Sequence, residues 1–165
     1  MQNFAHKTIL ALIITGASAF AAEKTKTFKG AWFDISYPST FTAQPSIKSD
    51  GVPGKYESAF FVSPDKTVRF YIFSPQWAGE NADIAVKATD KAAVTEKTEK
   101  ANGMTRRYFT IQPKAEGFTR SYVETTNEDA TVRWVIGIEY TSKEAYEKYK
   151  SAYLKFKKSL RQFAD

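Results

Sequence analysis

The chain has 165 residues, a formal net charge of +6, one histidine and no cysteine. Without cysteine there is no thiol catalysis, thiolate metal site or disulfide, and moderate basicity bears on solubility and association rather than on fold. Aromatic residues make up 15% of the chain, and each large ring buries on the order of 150–250 Å², which favours a thick packed core over disorder.

The chain opens as a targeting segment. His6 and Lys7 make a short positive start, Thr8 to Ile14 is an apolar run, and Gly16 to Ala21 supplies small residues. Ala19 and Ala21 fit the small-x-small cleavage rule, which places the cut before Ala22. The apolar run is shorter than the roughly 20 residues a bilayer span requires. Residues 1–21 therefore read as a Sec-type signal peptide, and residues 22–165 as a single α+β domain, soluble and exported to the periplasm. The only histidine, His6, leaves with the signal.

Residues 22–29 form a polar lead-in. In Ala31 to Tyr37, Ala31, Phe33, Ile35 and Tyr37 alternate with Asp34 and Ser36, the period-two mark of a half-buried strand that Pro38 ends. Pro45, Asp50-Gly51 and Pro53-Gly54 punctuate a loop over 42–54. Tyr56 to Val62 and Val68 to Phe73 read as a hairpin turned by Ser63-Pro64-Asp65-Lys66. The second of these strands is apolar on both faces apart from Arg69, so it belongs in the middle of a covered sheet.

Over 82–92 the pattern supports two readings. Asn81 could cap a short helix with Ile84, Ala85, Ala88 and Ala92 on one face, whereas Val86 and Thr89 suit a strand. Four strands follow, over about 93–100, 104–112, 118–126 and 131–140. Asn102-Gly103 turns the first pair and Asn127-Glu128-Asp129 the last. Trp134, Ile136, Ile138 and Tyr140 share a face of the final strand. Ala145, Tyr149, Ala152, Tyr153, Phe156, Leu160 and Phe163 then recur at helical steps, predicting a helix of about 20 residues. Its start carries a capping box, Thr141 with Glu144, and its end gathers Lys155, Lys157, Lys158 and Arg161, where positive charge suits the helix dipole. The fold class is α+β: an antiparallel sheet of about six or seven strands with the long C-terminal helix packed on one face.

Once His6 is gone, neither histidine nor cysteine remains for a Ser-His-Asp or Cys-His hydrolase, a zinc site of the usual ligands or haem ligation. Glycine-rich phosphate loops are absent as well. The candidate acids Asp34, Glu57, Glu124 and Glu139 all fall in strands, where cross-strand pairing with Arg69, Arg106, Arg107, Arg120 or Arg133 is the expected fate. The acidic turns Glu80 to Asp83 and Asn127 to Asp129 lack the spacing of a dedicated calcium loop.

Two contact regions stand out. Trp77 follows the apolar strand and its Ser74-Pro75 stop, with Gln76 beside it, and is either a lid over the sheet end or an exposed anchor. Lys155, Lys158 and Arg161 offer a docking place for negative charge.

The opening Gly30-Ala31-Trp32-Phe33-Asp34-Ile35-Ser36-Tyr37-Pro38 with Phe41 resembles the glycine–aromatic–strand–Tyr-Pro start of PsbP-type domains. Tyr146 to Leu160 is similar to their C-terminal helix. The resemblance spans about 28–163 and implies an α/β/α sandwich, shared with Mog-type proteins, in a family of accessory and binding proteins rather than enzymes. The chain also looks like uncharacterised bacterial periplasmic proteins. The histidine metal ligands of some PsbP relatives have no counterpart here, so no functional residue carries over. The expected function is a non-catalytic periplasmic accessory or binding protein. Its expected partner is a protein or an anionic envelope component, with no cofactor, no nucleic acid and no stable membrane insertion. The alternatives are a small-ligand carrier with an aromatic pocket and a carboxylate-dependent cell-envelope glycan hydrolase.

Overall fold

The computed structural model describes residues 24–77 and 79–163. The expected signal segment lies outside the described residues. Ten strands and one α-helix make two antiparallel sheets. The strands are β1 (Thr25–Lys29), β2 (Phe33–Pro38), β3 (Thr42–Pro45), β4 (Ser58–Val62), β5 (Val68–Phe73), β6 (Val94–Ala101), β7 (Met104–Ile111), β8 (Thr119–Asn127), β9 (Arg133–Tyr140) and β10 (Arg161–Gln162), and the helix α1 is Lys143–Lys158. The large sheet has seven strands in the order β3-β4-β5-β9-β8-β7-β6, and the small one three in the order β1-β2-β10.

The two-faced apolar strand β5 sits between β4 and β9, as its composition requires. Phe70 and Ile72 point toward α1, which buries Ala145, Tyr153 and Phe156 there together with Phe33 and Ile35 of β2. Phe156 meets both Phe61 and Phe70 at ring-centroid distances of 5.2 Å. Tyr71 and Phe73 join the second core on the opposite face, with Phe109, Ile111, Tyr122, Val135 and Ile84. Gly137 is paired with both Tyr71 and Tyr122, and a side chain there would collide with the Tyr122 ring at 2.1 Å. Glycine at that point is a packing requirement.

Residues 82–92 are neither helix nor strand. A 3-10 turn spans Ala82–Ile84, Asn81 provides no side-chain cap, and the rest runs as a loop across the second face. Polar anchors fix it. Asp83 accepts hydrogen bonds from Ser46 (2.7 Å), Ser58 (2.6 Å) and Tyr71 (3.0 Å), while Asp90 forms a buried ion pair with Arg120.

The helix has 16 residues and is shorter than its stripe implied. Its cap is Ser142, whose hydroxyl accepts from the Ala145 amide, rather than Thr141. At the other end Ser159 breaks it, donating its hydroxyl to Phe156 O and accepting from the Ser36 amide at 2.9 Å. The chain then straightens into β10 against β2, and Phe163 leaves the helical stripe altogether. Tyr149 is only half-buried, because it stands over the β4–β5 turn rather than in the core. Among the described residues, no helix is long and apolar enough to cross a membrane.

Candidate functional site

The strand β5 ends at a patch of exposed aromatic surface. Ser74 and Pro75 are buried, the Ser74 amide donates to Glu57 O at 2.8 Å, and Gln162 donates its side-chain amide to Ser74 Oγ at 2.8 Å. Beyond them Gln76 is half-buried and Trp77 is 68% exposed. Arg133 holds the far side of this segment through a 2.8 Å hydrogen bond to Gly79 O. The indole therefore stands out from a backbone pinned on both sides, and the lid alternative for Trp77 does not hold.

Two shallow cavities flank Gln76. One, of about 240 Å³, lies toward Phe163, Gln162 and Val132, and the other, of about 270 Å³, toward Trp77, Gly79, Asp50 and Glu57. Trp32, 9% exposed, borders both. Phe163, 48% exposed, is fixed by its amide, which donates to Trp32 O at 3.1 Å. Two of the most exposed large apolar side chains, Trp77 and Phe163, thus share one end of the molecule. Clustered exposed aromatics of this kind mark contact surfaces more often than scattered ones do.

Of the residues around these cavities, sequence reasoning had singled out Gln76 and Trp77 as contact candidates, whereas it read Trp32 as a strand residue and Phe163 as part of the helical stripe. The signal available for Phe163 was Ser159, which ends the helix within one turn of Phe156, the last buried residue of its apolar face.

The basic residues lie elsewhere. Lys155 and Lys158 are exposed on α1 and line neither cavity. Neither they nor Arg161 pairs with a carboxylate among the described residues. Arg161 sits in β10 opposite Asp34, two residues before Phe163, so β10 links the basic helix end to the aromatic patch.

Two of the four candidate acids are bound to arginines across the sheet. Glu139, 1% exposed, pairs with Arg69 and accepts from the Tyr122 hydroxyl at 2.6 Å. Glu124 is held by Arg107 at 2.7 Å and Arg133 at 2.6 Å. Burial pushes the Glu124 carboxyl up, but the two guanidinium groups outweigh it and leave it below the usual glutamate range. Burial and the Glu139 charge push the Tyr122 hydroxyl far up. Glu124 and Glu139 are thus held in ion pairs, and for Glu124 the lowered carboxyl disfavours a proton-donating acid. Among the described residues, no group of three or more His, Asp or Glu is placed to hold a metal ion.

Comparison with known proteins places the architecture. No family model matches the chain, and no curated protein matches it by sequence. The solution structure of cyanobacterial PsbP (CyanoP) from a Synechocystis species superposes with a TM-score of 0.50. That match covers 91% of this chain and 99% of the other at 8% identity. The fold is PsbP-like. At this identity the likeness is one of fold, and the PsbP-like frame accounts for the large sheet, the small sheet and the C-terminal helix packed on the first.

Proposed function

We propose that the protein is an exported, non-catalytic accessory protein that binds a partner protein through the aromatic patch around Trp77. The observation that carries the reading is the 68% exposure of Trp77 on a backbone fixed at Ser74, Pro75 and Gly79. Tryptophan is enriched among the residues that dominate interface energies, and a ring that is already exposed can be contacted without disturbing the core. Arginine pairing of Glu124 and Glu139 removes two of the four candidate acids from which a hydrolase would draw its carboxylate pair. The resemblance to PsbP-type domains, whose members are accessory and binding proteins, supports the same reading by analogy of fold. Export rests on the leader, residues 1–21, with 22–165 as the working domain, and N-terminal sequencing of the exported chain is expected to start at Ala22. A chain still beginning at Met1 refutes export.

Binding is tested by placing a photo-reactive amino acid at exposed Glu80, three residues beyond the indole, in living cells and, as a control, at exposed Lys97 on the edge strand β6. A discrete adduct at 80 that is missing at 97 and is lost in Trp77→Ala supports the reading, whereas equal, diffuse labelling at both refutes it. Lys155, Lys158 and Arg161 are proposed as a separate surface for an anionic envelope component, for which charge reversal at Lys155 and Lys158 is to abolish salt-sensitive association.

One observation favours a second reading, a small-ligand carrier. The helix leaves the β7–β8 half of its sheet face open, and a groove of about 380 Å³ runs there between Tyr108, Tyr140, Tyr146 and Tyr153, with Thr110 and Ser121 at its floor. Mass spectrometry of the purified, denatured protein identifies a carrier by a stoichiometric small molecule.

A further inference from the structure

The cavity beside Trp77 has a chemistry of its own. It is walled by two indoles, Trp32 and Trp77, and by two carboxylates, Asp50 and Glu57. Neither carboxylate pairs with a lysine or arginine among the described residues. Among the described residues, the one hydrogen bond to the Glu57 carboxylate comes from the Ser49 hydroxyl, at 3.0 Å to Oε1. Lys55, two residues before it, directs its ammonium to Lys29 O. Arg133, which reaches Gly79 O at the rim, is committed to Glu124. Space over Trp32 is kept by Gly51, where a Cβ would lie 3.2 Å from the indole Cζ2. Gly51 is not among the residues of positive φ, so its small size, rather than backbone freedom, is what the cavity uses.

Indole faces attract cations, and carboxylates with no cation of their own among the described residues add to that field. We infer that the cavity between Trp32 and Trp77 takes the guanidinium of an arginine side chain presented by the partner protein. This rests on the reading of Trp77 as a binding anchor. Arginine suits the site better than lysine because its planar, weakly hydrated head stacks on an aromatic face while its edge donates to carboxylates in pairs. A volume of about 270 Å³ accommodates one such side chain.

The probe is a blocked Gly-Arg-Gly peptide titrated into labelled protein, followed by NMR at the Trp77 indole N–H and the Gly51 and Gly79 amides. Expected are saturable shifts at these three positions that vanish when citrulline, the neutral isostere, replaces arginine. Trp77→Ala is to abolish saturation. Asp50→Asn with Glu57→Gln is to weaken binding about five-fold or more, in the range of one lost cation–π or charged contact. Unperturbed resonances elsewhere verify that each variant folds. Citrulline binding as well as arginine, or no saturable shift, overturns the inference. Choline binding as tightly as the peptide overturns it in favour of a free small cation. A discrete photo-adduct at 80 that persists in the Asp50→Asn, Glu57→Gln variant overturns the arginine site and leaves the partner surface standing. Peptide binding without any adduct does the reverse.

Discussion

The Tyr122 hydroxyl donates to Glu139 Oε1 at 2.6 Å, and both side chains are buried in the middle of the seven-stranded sheet. Around them Arg69 of β5 and Arg120 of β8 stand opposite Glu139 on either side. A charged carboxylate in that position is tolerable only because every neighbour is committed to it or to a second pair: Arg69 to Glu139, and Arg120 to Asp90. The row fixes the register of β5, β9 and β8, since a slip of β9 by one residue would put the carboxylate on the opposite face, against Phe70 and Ile72 of β5.

Removing one member at a time therefore has graded costs. Tyr122→Phe loses a hydrogen bond to a charged group and is expected to destabilise by about 1.5–3 kcal/mol. Glu139→Ala strands Arg69 beside an uncharged gap and is expected to cost about 3–5 kcal/mol. Urea unfolding of the three proteins checks the order, and a Glu139→Ala loss below that of Tyr122→Phe contradicts it.

The helix gives a second comparison. Phe156 is 1% exposed between Phe61 and Phe70, so Phe156→Ala should cost about 3–5 kcal/mol. Tyr149, half-buried over the β4–β5 turn, should cost clearly less when replaced by Ala. Equal losses in chemical denaturation would mean that both rings anchor the helix alike.

Much of this arrangement is written locally. β5 was legible to the residue because alternation fails there on both faces at once, and only a central strand permits that. Asn102-Gly103 adopts φ values of 52° and 69°, the two positive angles of the tight hairpin turn that this dipeptide favours. Four residues of β3 and the Thr-Lys alternation of β1 were not legible, because edge strands bury almost nothing and so carry no apolar period. The loop over 82–92 was illegible for another reason: its conformation is set by Asp83 and Asp90 reaching Tyr71, Ser58 and Arg120 across the fold, contacts with no spacing in the sequence. At the site, Trp77 and Gln76 could be found by position after a strand stop. Trp32 and the carboxylate walls come together only through the β2 and β4 ends, so periodicity could not assemble them.

Acid stability follows from the β4–β5 turn. Asp65 accepts from Lys148 Nζ at 2.7 Å and from Tyr149, Ser63 and Thr67 hydroxyls, joining the turn to α1. The Lys148 ammonium above all, with the hydroxyls of Ser63 and Thr67, holds the Asp65 carboxyl far below its ordinary value of 3.8, outweighing the opposing effect of burial. A depressed carboxyl contributes stability above its unfolded value and loses it as pH falls toward the folded one. The thermal midpoint is thus expected to start falling as pH drops below about 5 and to keep falling through about pH 3 and below. Asp65→Asn should flatten part of that slope and leave the part owed to Glu124, which is depressed by Arg107 and Arg133. A slope unchanged in the variant would show that the turn does not carry it.

Trp77 and Trp32 border the same cavity with opposite burial, and stability separates their roles. Trp77 is 68% exposed and its ring supports little of the core, so Trp77→Ala should change unfolding free energy by less than about 1 kcal/mol. Trp32, 9% exposed and receiving the Phe163 amide on its carbonyl, is expected to cost about 3–5 kcal/mol when its ring is removed. The main-chain bond to Phe163 survives that change, so the loss reports the ring alone. Phe163→Ala offers the third corner: half-exposed, it should cost less than Trp32→Ala and yet remove one wall of the cavity beside Gln76. Guanidinium unfolding of the three variants, followed by far-ultraviolet circular dichroism because tryptophan itself is being removed, orders them. A Trp77→Ala loss as large as that of Trp32→Ala would make the exposed indole part of the fold and take away the reason to treat it as a contact surface.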